Sequence, residues 1–145
     1  MKTIYTVGTS NRTLDDFGNL LHHYGIQTLV DVRRFPTSRF THFKKENLES
    51  FCYQQEIAYH WMGTLLGGFR SGSYDLYCQT DNFKDGLKQV EQLALADTTG
   101  LCCAERLPWE CHRRFIANQL EKQGWNVLHI IDEDSIWKAK QTELF

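Results

Sequence analysis

Apolar positions along the chain alternate between two periods. Residues 4–7, Ile-Tyr-Thr-Val, form a β-branched and aromatic run that stops at Gly8 and reads as a strand. After a small-polar stretch, Leu14, Phe17, Leu20, Leu21 and Tyr24 recur at intervals of three and four. That spacing predicts a helix with Thr13 as its cap, Asp15 and Asp16 in its first turn and Gly25 at its end. Residues 27–33, Gln-Thr-Leu-Val-Asp-Val-Arg, predict a second strand that stops before Phe35-Pro36. Residues 45–55 place Leu48, Phe51, Cys52 and Gln55 on one helical face, and residues 57–61 read as a short strand.

Residues 62–77 hold Gly63, Gly67, Gly68 and Gly72. The segment is too long and glycine-rich for a simple turn and is expected to be a functional loop. Asp81 opens a further helix with Phe83, Leu87, Val90 and Ala94 inward. Residues 100–104, Gly-Leu-Cys-Cys-Ala, show no polar alternation, as expected of a strand at the centre of a parallel sheet. Pro108 suits a first helical position and predicts a helix to about Gln123, with Phe115, Ile116 and Leu120 inward. Residues 127–131 form the last strand, and residues 132–145 read as a polar appendage anchored by Ile136 and Trp137. Strand and helix alternate throughout, so the expected fold is α/β: a single domain over residues 1–145, with a mostly parallel sheet and helices on both faces.

Composition narrows the class. The chain has 145 residues, 41% of them hydrophobic and 13% aromatic, and a net charge of −2, which excludes a disordered chain. No apolar run approaches the ~20 residues of a membrane span, and residues 1–5 lack a secretory core. Five cysteines, two of them adjacent (Cys102 and Cys103), argue for reduced thiols and a cytoplasmic setting. Eight lysines sit mainly in helical stretches or near the ends, whereas seven of eight arginines fall in three short segments: Arg12; Arg33, Arg34 and Arg39; Arg106, Arg113 and Arg114. Guanidinium forks grouped in loops suit an anion.

In a parallel sheet, ligands bind outside the carboxyl ends of the strands, and three polar clusters are expected to converge on that rim. The first, Thr9-Ser10-Asn11-Arg12, feeds a helix N-terminus that favours an anion, although its spacing is neither a dinucleotide nor a phosphate-loop fingerprint. The second runs from Arg33 to Arg39, with His42 nearby. Within its strand, Asp31 has two readings: a structural carboxylate bonded to loop N–H groups or an arginine, or an acid or base with a shifted pKa. The third holds Glu105, Arg106, Glu110, Cys111, His112, Arg113 and Arg114. Cys111 is expected near the first turn of its helix, where Arg106, His112 and Arg113 favour a thiolate; as adjacent helical residues, Cys111 and His112 would point about 100° apart. The spacing of Cys103, Cys111 and His112 matches no zinc pattern, so neither metal nor cofactor is expected. Tyr53, Tyr59, Trp61, Phe69, Tyr74 and Tyr77 surround the glycine loop, as loop anchors or as a stacking platform for a base.

The motifs Thr6-Val7-Gly8-Thr9-Ser10-Asn11-Arg12, Val30-Asp31-Val32-Arg33 with Pro36-Thr37-Ser38-Arg39, Leu66-Gly67-Gly68, and Cys103-Ala104-Glu105 with Pro108 and Cys111-His112-Arg113 resemble the DUF488 family. Thr9 stands where that family usually has His. The resemblance implies an α/β fold and a polar site built from Asn11, Arg12, Asp31, Arg33, Arg39, Glu105, Cys111, His112 and Arg113. It implies no particular reaction; a loose link with nucleic-acid processing accompanies the family.

The leading expectation is an enzyme acting on a phosphate-bearing substrate, a nucleotide or nucleic acid. Ser10, Asn11, Arg12, Arg33, Arg39 and Arg113 would hold the anion. Glu105 or Asp31 would act as acid or base, with Cys111 and His112 assisting or supplying the nucleophile. The alternatives are a non-catalytic anion- or nucleic-acid-binding module and a sulfurtransferase. The last rests on the likeness of residues 29–33 to a rhodanese strand and on Cys103 at a strand end, although the loop after Cys103 lacks a short N–H-rich cradle.

Overall fold

Strand residues of opposite parity face opposite sides of a sheet, and here both sides are apolar. The computed structural model describes residues 2–139. Its strands are β1 (Thr3–Gly8), β2 (Thr28–Asp31), β3 (Ala58–Trp61), β4 (Thr99–Cys103), β5 (Asn126–Asp132) and β6 (Ser135–Trp137). Its helices are α1 (Leu14–His23), α2 (Lys45–Gln54), α3 (Gly63–Leu66), α4 (Tyr74–Tyr77), α5 (Asp81–Ala96) and α6 (Arg113–Lys122). The six strands form one sheet in the order β3-β2-β4-β1-β5-β6, parallel except for the β5–β6 pair.

Val7, Leu29, Cys102 and Ile130 pack against Phe17, Leu20 and Leu21 of α1 and Leu48 and Cys52 of α2. On the other face Ile4, Val30, Leu101, Cys103 and Val127 pack against α5 and α6 through Phe83, Leu87, Val90, Ile116, Ala117 and Leu120. The sheet is therefore an α/β core with helices on both faces. Thr13 caps α1 through its hydroxyl, 3.0 Å from the Asp16 N–H, as its sequence position predicts. Among the described residues, no helix is long and apolar enough to cross a membrane.

Four details depart from the sequence reading. The strand expected over 27–33 ends at Asp31, because the Asp31 carboxylate accepts from the Arg33 N–H at 3.1 Å and turns the chain out of the ladder. The loop over 62–77 contains two single helical turns, α3 and α4, tied together where Tyr74 and Tyr77 donate to the carbonyls of Leu66 and Leu65. The helix expected from Pro108 is broken: Pro108–Glu110 is one 3-10 turn, Cys111 is extended (φ −135°, ψ 149°), and α6 starts at Arg113. Cys111 Sγ there accepts from the first helical N–H, that of Arg113, at 3.4 Å. Finally, part of the expected C-terminal appendage is an edge strand, β6, whose Trp137 packs on His129 and Trp109; residues 140–145 lie outside the described residues.

Candidate functional site

Strand β4 lies between β2 and β1. The chain leaves β1 and β2 toward helices on one face of the sheet and leaves β4 toward α6 on the other. Neighbouring exits that diverge in this way open a crevice at the carboxyl ends of the strands. The cleft has a volume of about 520 Å³, with Arg33, Arg34, Phe35 and Thr37 along one wall, residues 103–105 and 110–112 along the other, and Gly68 and Phe69 closing one side.

Two sulfurs meet on its floor. Cys103, the last residue of β4, is 2% exposed, and Cys111 Sγ donates to its sulfur across 2.6 Å. Arg113, fully buried, donates from Nη1 to Cys103 Sγ at 2.8 Å. The other partners of this guanidinium are the carbonyls of Glu105 and Arg106, neither of them a carboxylate, and its Nε finds no acceptor among the described residues. A buried cation requires a facing anion, and of the partners of this guanidinium only the Cys103 sulfur can ionise to supply one. Burial by itself would raise the pKa of Cys103. Donation by Cys111, the charge and hydrogen bond of Arg113, and a backbone contact at Glu105 bring it down to about 7 instead. Cys111 moves the opposite way, held protonated by its bond to Cys103 and by burial. The other thiols are pushed up by burial, Cys78 to about 11 and Cys52 to about 12, with Cys102 also raised. Cys103 alone of the five is drawn toward ionisation rather than away from it.

His112 stands beside the pair. Its Nε2 lies 3.1 Å from the Val32 carbonyl, which can only accept, so Nε2 carries the hydrogen. Nδ1 then presents a lone pair to Cys111 Sγ at 3.6 Å. Burial lowers the His112 pKa and keeps the ring neutral. Gly68 makes room for it: a Cβ there would sit 3.1 Å from Nδ1. The extended backbone of Cys111 is what brings Cys111 and His112 together, replacing the diverging helical geometry expected from sequence.

The arginines are distributed differently from expectation. Arg33 donates from Nε and Nη2 to both carboxylate oxygens of Asp31, at 2.8 and 2.7 Å, and from Nη1 to the Phe43 carbonyl at 2.7 Å. Tyr59 also donates to Asp31. Asp31 is fully buried and accepts four hydrogen bonds, the structural member of its two readings. Arg12 donates to the carbonyls of Gly8 and Ile131 and pairs with Asp132, which Arg106 also contacts. Arg39 is exposed and stacks on Phe40.

The three clusters expected on one rim divide between two depressions. Asn11 and Arg12, with Arg106 and Asp132, line a separate one of about 440 Å³. Thr9 and Ser10 donate backbone N–H groups to the carbonyls of Cys103 and Ala104 and hold the floor of the cleft in place. Asp31 and Arg39 are absent from the cleft lining, and Arg33 reaches it already paired; Glu105, Cys111 and His112 line it. Sequence reasoning had Cys111 and His112 assisting or supplying the nucleophile and Arg113 among the residues holding an anion; the structure sets both Cys111 Sγ and the Arg113 guanidinium against Cys103 Sγ. It also brings in Arg34, Phe35 and Phe69, whose rings lie 5.9 Å apart at the mouth. Among the described residues, no group of three or more His, Cys, Asp or Glu side chains is placed to hold a metal ion.

No curated protein and no solved structure matches the chain. Residues 13–120 match the family model described as domain of unknown function DUF488. That span includes β2 with Asp31 and Arg33, the glycine loop, β4 and the whole Cys103–Arg113 segment, and the chain belongs to the DUF488 family.

Proposed function

We propose that the protein is an enzyme whose reactive centre is the Cys103–Cys111 sulfur pair on the cleft floor. The observation that carries the reading is the fully buried Arg113 guanidinium 2.8 Å from Cys103 Sγ, with no carboxylate among its partners. A protein that needed Arg113 only for packing would face it with an aspartate, as Asp31 faces Arg33. A thiolate in that position offsets the buried charge as a carboxylate would, and in addition it is nucleophilic at neutral pH. The reading is closer to the sulfur-chemistry alternative than to phosphate recognition, because Arg12, Arg33 and Arg113 are spent on internal partners. Arg34 retains a role toward an anionic part of the substrate: it lines the cleft, donates to the Phe69 carbonyl at 3.0 Å and lies over Phe35. Glu105 and Glu110 on the opposite wall are the candidate proton carriers.

Ultraviolet absorbance of the thiolate against pH tests the reading. The wild-type protein is expected to titrate one thiol with a midpoint near 7. Cys103→Ser removes that step, and Arg113→Met moves it upward by more than one pH unit. A wild-type titration with no step below pH ~8.5, the free-thiol value, would overturn the proposal.

A further inference from the structure

We propose that Cys103 and Cys111 interconvert between dithiol and disulfide by exchange with small disulfides, with Cys111 as the sulfur that meets the substrate and Cys103 as the one that resolves the mixed disulfide. This rests on the reading of the pair as the reactive centre and adds the substrate class and the order of steps.

The order follows from position. Cys111 is partly exposed, whereas Cys103 is buried beneath it. An incoming disulfide therefore reaches Cys111 first. The two sulfurs, eight residues apart, are already in contact at 2.6 Å, so closing a bond of about 2.05 Å requires only a small approach. For attack the Cys111 S–H turns from Cys103 toward His112 Nδ1, 3.6 Å away, and that nitrogen then takes its proton and frees the thiolate.

The chemistry balances with oxidised glutathione as the oxidant. The Cys111 proton passes to His112 Nδ1, and Cys111 Sγ attacks one glutathione sulfur. A Cys111–glutathione bond forms, the glutathione disulfide breaks, and the first glutathione thiolate leaves with the proton from His112. The Cys103 thiolate, its own proton already lost to solvent, then attacks Cys111 Sγ. The protein disulfide forms, the mixed disulfide breaks, and the second glutathione leaves as a thiolate that takes a proton from solvent. Both cysteines are oxidised, and one glutathione disulfide is reduced to two thiols.

In the reverse direction a glutathione thiolate attacks the accessible Cys111 Sγ and expels Cys103. A leaving thiol of low pKa departs faster, and Arg113 holds that leaving group as an anion. Stabilising the reduced form makes the disulfide easier to reduce, so the pair is expected to act as an oxidant toward other thiols. The remaining cysteines lie outside this exchange: Cys52, Cys78 and Cys102 are buried in the two apolar cores.

The test equilibrates the full-length protein in buffers of reduced and oxidised glutathione, followed by acid quenching and mass spectrometry of alkylated peptides. The wild type is expected to lose two hydrogens through a Cys103–Cys111 disulfide that dithiothreitol reverses. Cys103→Ser accumulates glutathione on Cys111, and Cys111→Ser leaves Cys103 unmodified. At pH 9, where Cys103 is fully ionised in the wild type, Arg113→Met shifts the equilibrium with glutathione toward the disulfide by about tenfold for the first pH unit by which it raises the Cys103 pKa, and by about twofold at most at pH 7. If wild-type protein keeps its near-neutral thiolate titration but forms no intramolecular disulfide in oxidised glutathione, the exchange proposal is overturned while the thiolate centre stands. Glutathione trapped on Cys103 in Cys111→Ser, with none on Cys111 in Cys103→Ser, overturns the order of steps. Loss of the thiolate titration itself overturns both proposals.

Discussion

Arg33 and Arg113 are both buried, and a buried guanidinium is tolerated only with a facing anion and satisfied hydrogen bonds. Asp31 supplies that anion to Arg33 with fork-to-fork geometry, 2.8 and 2.7 Å, and burial of the pair is offset by Tyr59 and the Phe43 carbonyl. Substituting Asp31→Asn leaves the Arg33 charge buried with a neutral partner. The expected loss is about 3–5 kcal/mol of stability in urea unfolding. Adding Arg33→Met to that variant is expected to recover part of the loss, since it removes the orphaned charge; a double variant no more stable than Asp31→Asn would contradict the ion-pair account. Arg113 solves the same problem with a sulfur. The Asp in Val-Asp-Val-Arg was readable as a buried carboxylate needing an arginine, and Arg33 two residues on is within its reach. That Arg113 would meet Cys103 was not readable at this scale, because nine residues and a broken helix lie between them.

Elements carry the next part of the argument. The apolar stripe of α6 runs Ile116, Ala117, Leu120, and extending it back one turn lands on Arg113. An arginine on the buried stripe of a helix signals a charge aimed at the sheet, and this was the available sequence clue to the thiolate. It was obscured because the helix was expected to begin at Pro108, which put Cys111 and His112 on diverging faces. The loop after β4 is also held by a close approach that only glycine permits: a Cβ on Gly8 would meet the Glu105 carbonyl oxygen at 2.0 Å. Backbone atoms cannot yield as a side-chain tip can, so Gly8→Ala displaces the 105–106 segment. We expect a stability loss of about 2 kcal/mol, in the range of overpacked sites. A rise in the Cys103 thiolate midpoint should accompany it, because the Glu105 and Arg106 carbonyls that orient Arg113 move together. Gly8→Ala protein that unfolds and titrates like the wild type would show that this contact is not what holds the loop.

The whole molecule couples the site to its acid stability through His129. This residue lies in the sheet beside Thr6, its Nδ1 2.6 Å from the Thr6 hydroxyl, and is 1% exposed. Burial, then the charge of Arg113 and that of Lys138, lowers its pKa from 6.5 to about 3. The folded ring therefore stays neutral where the unfolded chain takes up a proton. Its contribution is fully present above pH 6.5 and is lost as pH falls from 6.5 toward 3, at about 1.4 kcal/mol per pH unit across that window. Urea unfolding of wild type and His129→Gln should show the variant less stable near pH 7 and the gap closing or reversing near pH 4. A gap independent of pH would mean that His129 is not protonated on unfolding in this range.

Local pattern by itself determined strands β1 to β5, the four longer helices and the alternation that makes a parallel sheet, since period, caps and glycine stops act within a few residues, but it missed α3, α4 and β6. It also marked the residues after β2 and β4 as unusual, because charged groups beside apolar runs need partners wherever the chain goes. Only the tertiary structure decided which partner each one took. The strand order places β4 between β2 and β1, and the divergence of their exits separates one expected rim into two depressions. The break at Cys111 brings two sulfurs, an imidazole and a buried arginine to one point. Contact between residues distant along the chain, and the desolvation that comes with it, sets which groups are charged; those quantities depend on three-dimensional distance and burial, which no sequence interval contains.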